Sequence, residues 1–198
     1  MGEAGVIEDA AVERDVSTLP PRDTGTSDST VEEDSGGGTC TKDVFINELK
    51  TEGPGANDEF VELYNPNNCS VPLGGWSVKY QSAGGGAGGA GHTFAVGDSI
   101  PARSFLVLAP PSFPGADADW TPGMAGAAGQ IALFDDTNAK IDGVGYGNVT
   151  GGSYREGTSA PAPPSNGSIG RKVDGVDTDN NNADFRTYTT PSPGASNP

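Results

Sequence analysis

Gly75-Trp76-Ser77-Val78-Lys79-Tyr80 decides the fold class, because its apolar residues Trp76, Val78 and Tyr80 recur at every second position. A strand sends successive side chains to opposite faces, so this run has one apolar and one polar face. Runs of similar texture lie on either side of it. Upstream are Val44-Phe45-Ile46-Asn47-Glu48-Leu49 and Glu59-Phe60-Val61-Glu62-Leu63-Tyr64, the second broken in its alternation by the adjacent Phe60 and Val61. Downstream are residues 92–96, 104–108, 130–134 and 140–146, with 168–173 as an eighth candidate. No window sustains a helical period over ten residues. Seven or eight short strands punctuated by Gly, Pro and Asn indicate an all-β fold, an antiparallel sandwich or barrel. The turn-rich residues 135–140 join two runs as a hairpin. The Gly/Ala stretch from Ser82 to Gly91 lacks the Lys and following helix of a phosphate loop and reads as a floppy connection. Residues 151–167 read as a long surface connection.

Composition limits how much of the chain can fold. The 198 residues include 31 Gly and 16 Pro, and only 33% are hydrophobic. Residues 1–39 carry ten acids against two bases, Arg14 and Arg22, and no aromatic residue precedes Phe45. Such a segment cannot bury enough apolar surface to offset ordering entropy, so a disordered acidic tail or linker is expected over 1–39 and one domain over 40–198. The net charge of −16 without a Lys/Arg cluster repels phosphate backbones, which argues against nucleic acid and anionic membranes as partners. No apolar stretch is long enough to span a bilayer as a helix.

The two cysteines flank the first two strands. With residues 50–58 as the turn, antiparallel partners sum to about 108, so Asp43 faces Asn65 and Leu49 faces Glu59. Cys40 and Cys69 sum to 109 and therefore stand nearly opposite, within reach of a disulfide. A bridge implies an oxidising compartment, against the cytoplasmic reading that a bare Met1-Gly2-Glu3 start would give.

Three groups of residues then form a recognisable order: Val44-Phe45-Ile46-Asn47-Glu48; Asp58-Glu59-Phe60-Val61-Glu62-Leu63-Tyr64-Asn65; and Leu73-Gly74-Gly75-Trp76. Gly167-Ser168-Ile169-Gly170-Arg171, Asp174-Gly175-Val176-Asp177-Thr178-Asp179-Asn180-Asn181, Asp184-Phe185 and Pro193-Gly194-Ala195-Ser196-Asn197 close it. Together they resemble the lamin tail domain family over roughly residues 43–198. The resemblance implies an immunoglobulin-like β-sandwich. It also implies a non-catalytic binding or scaffold module of a secreted or surface protein, as in the bacterial members. No coiled-coil heptads precede the domain, so the nuclear-filament role of animal members is not expected here. The acidic Ser/Thr/Gly leader resembles the spacer after the lipidated cysteine of bacterial surface lipoproteins, which points to a lipid anchor upstream of Met1. The partner would be a protein or another cell-surface component.

Chemistry-bearing residues are few. His92 is the one histidine, with no Gly-x-Ser-x-Gly elbow to serve it, and one His with two bridged Cys leaves no zinc set. Glu59 and Glu62 point to opposite faces, whereas Glu48 and Glu62 are candidates for neighbours across the hairpin. A hydrolase built on acidic pairs stays a minor alternative. The strongest ligand-like stretch is 174–184, where Asp174, Asp177, Asp179, Asn181 and Asp184 offer short oxygen ligands in the manner of a calcium loop. Asn182 occupies the place where an EF-hand needs glycine, and Tyr188 the place of its bidentate glutamate. Two readings stand for this stretch. It is either the loop of a calcium-stabilised binding domain, or a set of turn-capping side chains with Arg171 paired to a carboxylate. No other cofactor is expected.

Overall fold

The computed structural model describes residues 1–2, 40–54, 57–86, 89–121 and 123–198. The tail expected over 1–39 lies almost wholly outside these residues. The described residues from 40 onward form one compact unit. Its strands are β1 (Phe45–Lys50), β2 (Phe60–Tyr64), β3 (Val71–Pro72), β4 (Ser77–Ser82), β5 (Gly89–Thr93) and β6 (Ser99–Ile100). Then follow β7 (Phe105–Ala109), β8 (Ala118–Asp119), β9 (Gly129–Phe134), β10 (Lys140–Tyr146) and β11 (Ser168–Arg171). A single helical turn, α1 (Asn181–Asp184), leads into β12 (Phe185–Tyr188).

Two main sheets form the sandwich, one ordered β12-β11-β1-β2-β7-β8 and the other β10-β9-β4-β5, with β3 and β6 paired separately. The chain thus has the immunoglobulin-like β-sandwich expected of it. Ile46, Leu49, Val61, Leu63, Leu108 and Ile169 of the first sheet meet Val78, Ile131, Leu133, Val144 and Tyr146 of the second in one buried cluster. Trp76 and Tyr80 join it beside Val78, as the two-residue period requires. Phe60, which broke the pattern of β2, faces the other way. It packs with Val107, Ala109 and Phe113 beneath the 110–116 connection.

Each of the eight anticipated runs overlaps a strand, and four strands were not anticipated. Three of these, β3, β6 and β8, are two residues long, and β8 runs parallel to β7. β12 buries only its end residues Phe185 and Tyr188 and so carries no alternation. β5 begins three residues before the expected run, inside the Gly/Ala stretch. Gly91 is intolerant of a side chain there, since a Cβ would collide with the Val78 carbonyl and the Trp120 ring.

The β1–β2 register differs from expectation. Phe45 faces Tyr64 and Ile46 faces Leu63; past Asn47 the pairing shifts, so that Glu48 faces Glu62 and Leu49 faces Val61. Ile46 and Leu49 are three positions apart yet both enter the core, which a regular strand forbids and one extra residue at Asn47 permits. On the Ile46 side of the bulge partners sum to 109, and Cys40 and Cys69 are disulfide-bonded with Cα atoms 6.1 Å apart.

Candidate functional site

Arg171, the last residue of β11, is completely buried under the 174–184 loop. Its Nε donates to the Ile46 carbonyl (2.9 Å), and Nη1 donates to the Val176 carbonyl (2.7 Å) and Asp177 Oδ1 (3.2 Å). Nη2 donates to Asp142 Oδ2 at 2.9 Å, and Asp184 Oδ2 stands 3.6 Å from Nη1. The rings of Phe45 and Phe185 flank the guanidinium at 5.2 and 4.9 Å. Burial alone would weaken its hold on the proton, but Asp142 and Asp177 outweigh that and raise its pKa.

Asp142 comes to this place because β10 is bulged between Lys140 and Asp142. The Asp142 carboxylate also accepts the Ile46 N–H (2.6 Å), linking the two sheets. Beside it lies Glu156, brought in by the 151–157 connection. Gly143 and Gly145 make that approach feasible, because a Cβ at either would collide with Tyr154 or Arg155. Glu156 Oε1 accepts from Lys140 Nζ at 2.8 Å, while Oε2 is buried without a hydrogen-bond partner. Burial first, and the Asp142 charge second, push the Glu156 carboxyl up to about 7. Asp177 is also raised, by burial and then by Asp142, with Arg171 opposing. One carboxylate oxygen from each of Asp142, Glu156 and Asp177 lies within 4.8 Å of the others.

The five residues anticipated as ligands therefore separate. Asp177 enters this acidic cluster. Asp184 accepts from the Thr178 N–H (2.9 Å) and hydroxyl (2.7 Å), which holds its pKa down despite the burial that would raise it. Asn181 turns into the β10 edge, where Oδ1 accepts the Gly145 and Glu156 N–H groups and Nδ2 donates to the Gly143 carbonyl. Asp179 is exposed with φ of 55°. Asp174 lies elsewhere, accepting from Asn47 Nδ2 at 3.0 Å and from the Asn197 N–H at 3.4 Å. The loop alone did not reveal the grouping because Asp142 and Glu156 precede Asp177 by 35 and 21 residues. A signal that could have found it is Gly143-Val144-Gly145, two glycines inside a strand.

Glu48 and Glu62 are indeed opposite one another, on the outer face of the first sheet. Both are fully buried by the C-terminal segment. Glu48 accepts from the Ser168 hydroxyl (2.5 Å) and the Ser192 N–H (3.1 Å), and Glu62 accepts from Asn47 Nδ2 (3.0 Å) and the Gly194 N–H (2.6 Å). Burial pushes Glu62 up to about 8. These carboxylates fasten backbone of the C-terminal segment.

Among the described residues, an open groove of about 600 Å³ is lined by His92, Phe94, Ser99, Phe105, Leu106 and Asp119, among others. It draws on β5 and β8, the outermost strands of their respective sheets. Asp98 and Asp117 also line it, but each caps a backbone N–H, that of Ala95 (2.7 Å) and of Val107 (2.8 Å). His92 packs edge-on against Phe94, with ring centroids 4.7 Å apart.

With this architecture in place, the model of one protein family, the lamin tail domain, matches residues 39–148. The chain belongs to the lamin tail domain family. That family consists of immunoglobulin-like, non-enzymatic domains. The match runs from the disulfide through β10. The remaining strands of this lamin tail domain extend the sheet that holds β1, with β11 paired to β1 and β12 to β11. No curated protein sequence matches the chain.

Proposed function

We infer that this lamin tail domain is a non-catalytic binding module that works outside the cytoplasm, with the β5–β8 groove as its docking face. The Cys40–Cys69 bond carries the first half of this reading, because structural disulfides persist in oxidising compartments. It closes the domain next to the acidic leader, which suits a spacer holding the domain away from a cell surface. The second half rests on the groove, whose Phe94, Phe105 and Leu106 lining is edged by Asp98, Asp117 and Asp119. An extended segment with basic and aliphatic side chains complements that lining, and an edge strand can take such a segment by strand addition.

Protease treatment of intact cells, followed by mass analysis of the alkylated, non-reduced domain, tests the location. Release of a domain with no alkylated cysteine is expected, and a protected domain with two alkylated cysteines would overturn it. For the docking face, a Lys/Leu-rich peptide is titrated into isotopically labelled protein. Amide shifts should concentrate at His92, Ser99 and Asp119, and their absence removes the groove from the reading.

A further inference from the structure

We propose that Asp142, Glu156 and Asp177 form a calcium site that clamps β10, the 151–157 connection and the 174–184 loop together. The three carboxylates come from three separate segments, and one oxygen of each lies within 4.8 Å of the others. Two oxygens bound to one calcium ion at about 2.3–2.6 Å lie at most about 4.6–5.2 Å apart, so a mutual spacing within 4.8 Å lets the three share one ion.

An acidic cluster alone would be unremarkable, but a second observation is independent of it. Glu156 is 9% exposed, and its Oε2 has no hydrogen-bond partner in an interior where such groups are almost always satisfied. Its other oxygen is held by Lys140 and cannot serve both needs. The charges agree. Among the described residues, Asp142, Glu156, Asp177 and Asp184 are ion-paired with Arg171 and Lys140 alone, so the fully ionised cluster is short by two positive charges, the charge of one calcium ion. Arg171 and Lys140 bind one side of their carboxylates and fix their direction, as neighbours of a metal site usually do. Asp177, with its side chain 16% exposed, gives the ion a way in, and water supplies the remaining ligands that calcium takes. This site differs from a calcium loop within 174–184, since only Asp177 is common to both.

The test uses the full chain, freed of metal by chelator and passed into calcium, magnesium or neither. Calcium at a hundredfold excess over its dissociation constant should raise the melting midpoint by roughly 5–10 °C, with magnesium giving less. Glu156→Gln keeps the shape and removes one charge, and it should weaken calcium binding at least tenfold by calorimetry. Its metal-free midpoint should not fall, because a strained buried charge has gone; this shows that the variant folds. Asp177→Asn should act likewise, and Asp136→Asn, at an exposed residue outside the cluster, should leave calcium binding unchanged. The proposal is overturned if calcium leaves the wild-type midpoint unmoved, or if Glu156→Gln and Asp177→Asn bind calcium as tightly as the wild type.

Discussion

Replacing Arg171 by methionine keeps the stem of the side chain between Phe45 and Phe185 but removes the cation that Asp142, Asp177 and Asp184 surround. The ion pair with Asp142 is fully buried on both sides. Removing one partner of such a pair leaves the other charged and dry, which costs about 3–5 kcal/mol. For a unit of this size each kcal/mol moves the midpoint by about 2–4 °C, so Arg171→Met should melt roughly 12 °C lower. Trp76 and Trp120 are both almost completely buried, and their fluorescence in a urea titration at pH 7 reports the loss directly. A double-mutant cycle isolates the cause. Asp142→Asn alone should also destabilise, yet combining it with Arg171→Met should cost less than the sum by about 1–3 kcal/mol, because each charge is harmful only without the other. If Arg171→Met stays within about 1 kcal/mol of the wild type, or if the two losses add, the guanidinium does not hold this loop as argued.

Serine at both Cys40 and Cys69 should lower stability by about 3.5 kcal/mol, the chain-entropy value for a bridge spanning 29 positions, read from denaturation midpoints. Glu62, with its pKa raised to about 8 in the fold, stabilises by holding a proton that the unfolded chain releases near 4.5. That contribution is complete below about pH 4.5 and is lost as pH rises towards 8, at up to about 1.4 kcal/mol per pH unit. Glu62→Gln should therefore gain on the wild type steadily from pH 5 to pH 8 in chemical denaturation, and parallel curves would show that Glu62 is not held neutral. Gly143→Ala should cost about 2 kcal/mol by driving a Cβ into the Tyr154 carbonyl, with faster proteolysis of the 151–157 connection as its signature.

The sandwich was legible because runs such as Gly75–Tyr80 state their own facing, and apolar residues two apart need no knowledge of the rest of the chain. The disulfide was legible for a related reason, since a hairpin ties residues 40 and 69 together through local pairing. Asn47 was not. A bulge adds one residue whose only trace is the spacing of Ile46 and Leu49, and that spacing acquires meaning once both are known to face inward. β5 was half hidden because glycine carries no side chain to alternate. The acidic cluster escaped for a longer-range reason. Asp177 was found as a ligand-like residue, but its companions depend on where β10 and the 151–157 connection cross, which pairing over tens of residues decides. Asn181 and Asp184 look like ligands in one dimension because the same short side chains that bind cations also satisfy backbone N–H groups.

The Cys40–Cys69 bond has a mechanical consequence. Tension applied through residue 39 enters the domain at Cys40 and is shunted directly to Cys69, so the β1–β2 ladder between them carries almost none of it. The chain between them, a sequence separation of 29 and about 100 Å when extended, stays locked out of any stretching of the molecule until the sulfur bridge itself is reduced. A force-extension trace would record this as a contour shorter by that length, restored by adding a reductant.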